Sequence, residues 1–302
     1  MTRRLGETPW FDAALAWYFV TVWGSGFLAT KIGLQHAAPF TFLTLRFAFG
    51  LVCLIPILLL MRPRFPTGRE LGHVVVAGLL MHAVHLGGSH YTQYLGVSAG
   101  ITALILSAQP LITALIAARW MGETLAARQW AGVVVGLAGV ALIVWHKVDV
   151  REASAASLIA VTVSLAGVTA GTLYQRVFCP LVDLRSAAAV QFAVTIAALA
   201  PLAWAFEDLR VDWSWALAGS ILFLVIGASL LAVSALHTLM RRGQATRVTS
   251  LLYLTPIFAV ALELPLFGVF PSALSLAGIA VTCLGVALVT VRTFLPARGV
   301  PS

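Results

Sequence analysis

Polar side chains inside long apolar runs are where this sequence could do chemistry. The run over residues 71–94 holds His82, His85, Ser89 and Gln93 at helical spacing, so they share one stripe of a helix. His90 and Tyr94 flank that stripe, and Tyr91 points away from it. In apolar surroundings such groups must meet protein or water. Two readings follow. The stripe supplies hydrogen bonds between helices, or it lines a cavity that binds a polar or aromatic solute. Four polar residues exceed the needs of one packing seam, which favours the cavity. His82 and His85 do not define a metal site, because no carboxylate or cysteine lies close to them in sequence.

A second stripe, Thr246, Thr249, Tyr253, Pro256 and Glu263, lies in the run 245–267. Pro256 cannot donate a backbone hydrogen bond, so a kink is expected there. Pro110 takes the equivalent place in the run 98–119, beside Ser107 and Gln109. The two prolines read as a hinge or gate, or as ordinary prolines of membrane helices. Trp23 precedes Gly24-Ser25-Gly26, a row that permits close helix approach or local unwinding, with packing the preferred role. Trp23 itself lies in mid-run and is a cavity candidate. Lys31, Arg46 and Glu263 also fall inside apolar runs. Glu263 is the one acid so placed, so Lys31 or Arg46 is its natural partner. That pair is a static closure of one end of a cavity, a gate that breaks and reforms, or a protonation site for coupling.

These groups require elements that carry them through an apolar medium. The chain has 302 residues, 60% hydrophobic and 10% charged, against roughly 25% charged in soluble domains. One soluble core cannot hide that surface, whereas lipid-facing side chains should be apolar. About 20 apolar residues cross the hydrocarbon core. Ten runs qualify: 12–34, 40–61, 71–94, 98–119, 127–146, 155–177, 186–206, 214–238, 245–267 and 272–293. The first is too long for a signal-peptide core, and no small-residue cleavage site follows it. The formal charge of +8 does not point to nucleic acid, since the basic residues sit in short loops. The 3 cysteines give neither a disulfide framework nor a metal spacing. No cofactor is implied.

Basic residues set the orientation. With the N-terminus inside, the inner segments hold Arg3, Arg4, Arg62, Arg64, Arg69, Arg119, Arg128, Arg176, Arg185, Arg241, Arg242, Arg247, Arg292 and Arg298. The outer loops hold Lys147, Arg151 and Arg210. A wrong span count would scramble this bias, so ten spans with both termini cytoplasmic are expected. Tryptophans near the span ends, such as Trp10, Trp120, Trp204 and Trp215, fit an aromatic belt.

The chain also repeats. At an offset of 146 residues Pro110 meets Pro256, Gly122 meets Gly268, and Gly139-Val140-Ala141-Leu142 meets Gly285-Val286-Ala287-Leu288. At 141 residues Val20-Thr21-Val22 meets Val161-Thr162-Val163. Five spans is an odd number, so the second copy enters the membrane inverted, the arrangement of many secondary transporters. The expected fold is therefore an all-α integral membrane protein, with one five-helix unit over residues 1–147 and its inverted copy over 148–302. Spans 5 and 10 carry Gly132, Gly136, Gly139, Gly278 and Gly285 and read as packing helices or as the face of a homodimer.

Trp23-Gly24-Ser25-Gly26 followed by Lys31, Arg46 within Thr44-Leu45-Arg46-Phe47, Gln109-Pro110-Leu111, Gly122-Glu123-Thr124-Leu125, and Gly132 with Gly139 together resemble the EamA family of the drug/metabolite transporter superfamily. The second copy departs from that pattern, with Val269 in the place of Glu123 and Ser164-Leu165-Ala166 in the place of Trp23-Gly24-Ser25. The resemblance implies ten helices, a central cavity and transport of amino acids or other small metabolites, often export, across the inner membrane. An importer or exchanger of another small solute is the alternative, and a membrane protein without transport activity a weaker one. Enzyme classes find no support. No span interior holds an aspartate, and HExxH, GxSxG and P-loop motifs are missing.

Ten spans place residue 210 outside and residue 302 inside. Fusion reporters at those two positions should give opposite signals, and the same side for both would refute the topology.

Overall fold

The computed structural model describes residues 9–120, 126–149, 154–232, 234–235, 238–239 and 255–290. Among them the chain is helical, with one isolated antiparallel pairing of Ala37 with Val211. The helices are α1 (Pro9–Gly33), α2 (Pro39–Met61), α3 (Gly68–Tyr94), α4 (Ala99–Trp120), α5 (Ala127–Asp149), α6 (Ala155–Phe178), α7 (Leu184–Phe206), α8 (Trp215–Ala232), α9 (Thr255–Phe267) and α10 (Ala273–Thr290). Seven of them, α1 to α4 and α6 to α8, are long and apolar enough to cross a membrane. Shorter apolar stretches lie at Ala127–Leu142, Ile257–Phe267 and Ala273–Leu288. Thr246, Thr249 and Tyr253 of the second stripe lie outside the described residues.

Local signals account for the helix limits. Ser98, Ser154, Asp183 and Ser214 each accept a backbone N–H of the first turn that follows. Arg62 closes α2 in the left-handed conformation, φ 44°. The kink expected in α4 is present as a turn at Ser107–Ala108, between Ala99–Leu106 and Gln109–Trp120. Pro110 sits just after it, where its missing N–H costs no helical hydrogen bond. Pro256 lies in α9, near the start of its described part.

Helix pairing follows a pattern. α5 packs along α10, α2 along α7, and α4 against α9. α3 packs on α6, and α1 on α8. Adding five to a helix number turns each of these pairs into itself or into another member of the set. Two further features obey the same rule. π-helical turns interrupt α3 at Leu79–Val84 and α8 at Phe223–Ala232, and prolines stand inside α2 at Pro56 and inside α7 at Pro201.

The seam between α5 and α10 is built from glycine. A Cβ on Gly285 would collide with the backbone of Gly136 and with the carbonyl of Gly132. A Cβ on Gly139 would collide with Thr282. The small-residue face is therefore used within the chain. Val134 and Leu284 point outward and are exposed.

Backbone cannot yield as a flexible side chain can. Gly285→Ala should cost about 1–3 kcal/mol through overpacking. Gly219→Ala, with no described atom within 4 Å of its Cβ, should be neutral. Melting of the purified protein in detergent checks the contrast.

Candidate functional site

Two polar clusters occupy the bundle. The first lies where α1 ends and α2 and α4 begin. Any helix start leaves backbone N–H groups without intrahelical partners, and its partial positive charge favours an anion. At α4 the acceptor is Glu263 of α9. Its Oε1 accepts the N–H of Ala99 at 2.9 Å and its Oε2 that of Gly100 at 2.9 Å. Lys31 Nζ completes the site at 2.9 Å from Oε1, and lies 4.2 Å from the centre of the Phe267 ring. The Glu263 side chain is 3% exposed, that of Lys31 25%. Of the two cations considered as partners for Glu263, the structure selects Lys31.

The start of α2 repeats this device. Ala38 at its N-cap offers no side-chain acceptor. Glu207, at the end of α7, supplies one: it accepts the N–H of Phe40 and of Thr41 at 2.8 Å each, and the Thr41 hydroxyl at 2.7 Å. Nearby, Asp212 N–H donates to the His36 carbonyl at 2.8 Å beside the Ala37–Val211 pairing. Glu207 lies just beyond the apolar run 186–206, so an acid inside a span does not mark it. The signal that could have found it is the Ala37-Ala38-Pro39 helix start, which has no capping side chain of its own.

The second cluster lies deeper, around the π-helical turns. His82 Nε2 is 3.3 Å from Gln191 Oε1 on α7, and Gln191 Nε2 donates to Gln175 Oε1 on α6 at 3.1 Å. His85 Nδ1 is 2.9 Å from Ser164 Oγ on α6, which donates back to the His85 carbonyl at 2.7 Å. His90 Nε2 lies 3.4 Å from Thr30 Oγ1 of α1. The polar face of α3 thus serves several helices, and for His82 and His85 the interhelical hydrogen bond is the geometry observed. Phe47, Phe192 and His82 form one ring cluster, with Phe47 5.2 Å from His82 and 5.0 Å from Phe192. Gln191, Ser164 and Gln175 were passed over in sequence, although each is a polar residue within an apolar run.

Other expected residues fall elsewhere. Ser89 and Gln93 are buried, and both ends of the Gln93 amide lack a described partner. Tyr94 is exposed and stacks on Tyr91, which stacks on Phe40. Gln109 bonds within its own helix, to Thr113 Oγ1 at 3.3 Å. Trp23 is partly exposed against Phe19, while Gly24 lets α1 approach Thr255 and Phe258 of α9. Arg46 is 8% exposed; its Nη2 reaches Ser229 Oγ of α8 at 3.5 Å, and its Nε has no partner among the described residues.

Comparison with known proteins gives concordant results. The EamA-like transporter family matches the chain twice, over residues 11–145 and 154–291. The chain is 27% identical over 294 residues to the "Uncharacterized inner membrane transporter YedA" of Escherichia coli (strain K12), covering 97% of this chain and 94% of that one. It is 24% identical over 262 residues to a "Probable amino-acid metabolite efflux pump" of the same strain, covering 83% and 85%. A solved crystal structure shares the fold at TM-score 0.65 and 20% identity, covering 94% of this chain and 98% of that one.

The two members of the buried pair are not equivalent. Glu263→Ala strands Lys31 and two backbone N–H groups, and should cost about 3–5 kcal/mol, the usual result of breaking a buried ion pair from one side. Lys31→Met leaves the carboxylate on its two N–H donors and should cost less. Thermal melts of both variants test that order, and the reverse order would remove the helix cap as the dominant contact.

Proposed function

The chain belongs to the EamA-like transporter family, and we propose that it is a secondary transporter working by alternating access between two inverted five-helix halves, residues 1–147 and 148–302. Its cargo is a small metabolite, an amino acid or related compound, moved in the direction of export. Ten spans bring both termini to the cytoplasmic side of the inner membrane. The double family match, the pairing of helices five apart in number and the paired π-helical turns support this division. The name of the efflux-pump relative supports the cargo and direction.

One observation carries the mechanism. At the end of the bundle that the charge bias places outside, both acids that cap α2 and α4 come from the second half of the chain. Those contacts join the halves through side chains at the helix ends, with apolar packing across the halves beside them. They can therefore open while every helix keeps its own backbone hydrogen bonds. Lys31, Glu263 and Glu207 form the outer gate, with Pro110 at the bend of α4 and Pro256 as its counterpart in α9. Trp23, His82, His85, Ser89, Gln93, Tyr94, Gln109 and Tyr253 are the residues assigned to the cavity side, and Arg46 is assigned with them below.

A cross-link tests the gate. Residues paired across antiparallel strands have Cα atoms about 4.5–5.5 Å apart, within disulfide reach. Ala37→Cys with Val211→Cys, oxidised in proteoliposomes, should lower amino-acid counterflow at least about tenfold, and reduction should restore it. Wild-type rates in the cross-linked protein would remove outer opening from the cycle.

A further inference from the structure

Arg46 is a buried guanidinium whose counter-charge is missing. Among the described residues no carboxylate lies within ion-pair distance of it. Lys31, the other cation within a span, is already matched by Glu263. The contacts Arg46 does make are weak: Ser229 Oγ at 3.5 Å, the long limit of a hydrogen bond, and the Phe47 ring at 5.6 Å from its guanidinium carbon. Its Nε is buried without a partner. A permanent charge held this way at membrane depth is costly. Hydrophobic packing of the same volume would serve structure better.

The position of Arg46 is as informative as its lack of a partner. It lies on α2 and touches the π-helical turn of α8 through Ser229. Through Phe47 it adjoins His82 in the π-helical turn of α3. Such turns open a helix at functional sites. Here the two interruptions come from opposite halves and flank one cation.

The geometry points to Arg46 as the seat of a carboxylate carried by the transported solute, a monocarboxylate with an apolar body lying on Phe47, Phe192 and His82. This assignment rests on the transport reading above and names the class of cargo. A planar guanidinium fork matches one carboxylate in two hydrogen bonds. A dianionic phosphate would call for a second cation, and Lys31, the other cation well inside a span, is already matched by Glu263.

Purified full-length protein in proteoliposomes is tested with L-leucine, L-phenylalanine, 4-methylpentanoate and 3-phenylpropanoate. Matched controls are leucinamide, phenylalaninamide, isopentylamine and phenethylamine. Uptake should favour the acids. Arg46→Met should reduce acid uptake about ten- to hundredfold, as loss of a charged hydrogen-bond pair does, and Arg46→Lys should retain part of it. Without solute, Arg46→Met should melt at or above wild type, because no ion pair is broken. Amides and amines carried as well as acids, unaffected by Arg46→Met, would overturn the carboxylate seat and leave transport standing. No uptake of any compound by wild type would instead count against the transport reading. In that case a melting-temperature rise caused by the acids and abolished in Arg46→Met would still uphold the seat, and its absence would overturn it. A lower melting temperature for Arg46→Met alone would show that the protein itself supplies the counter-ion, which also overturns it.

Discussion

Backbone amides at membrane depth must be hydrogen-bonded inside the protein, and two helix starts in this chain meet that demand with borrowed carboxylates. Glu263 accepts from the first two residues of α4, and Glu207 from the second and third residues of α2. Much else depends on this. Lys31 is held in place because it neutralises an acid already fixed by two N–H groups. The loop after α1 lies against the loop after α7 because Glu207 draws the start of α2 toward it. At this end polar contacts of fixed geometry tie α1, α2 and α4 to α7 and α9.

A contrasting joint lies between α5 and α10. There the two helices meet through Gly136, Gly139 and Gly285, with backbone against backbone. Nothing in that seam can be lengthened or rotated without losing dispersion contacts along it. One joint is made of side-chain carboxylates on backbone N–H groups, the other of backbone against backbone.

Several helix limits and the family were legible in the sequence because apolar length and short motifs are one-dimensional properties. The runs 40–61 and 155–177 match α2 and α6 closely, and Gly139 and Gly285, aligned at an offset of 146 residues, both lie in the seam between α5 and α10, against Thr282 and Gly136 respectively. The Lys31–Glu263 pair was legible as one of two choices, since depth is readable but azimuth is not. Glu207 was hidden because its role depends on a helix start 167 residues earlier. The stripe on α3 was legible as polar, yet periodicity could not reveal that His82 turns to Gln191 and His85 to Ser164. The π-helical turn between them breaks the angular regularity on which such a stripe relies.

The borrowed caps also bear on how the chain is made. α2 leaves the ribosome long before Glu207 exists, and α4 before Glu263, with separations of 167 and 164 residues. At synthesis rates of 5–20 residues per second, each helix start waits roughly ten to thirty seconds for its acceptor. Until then neither helix start has its protein acceptor, because both acceptors lie in the last third of the chain.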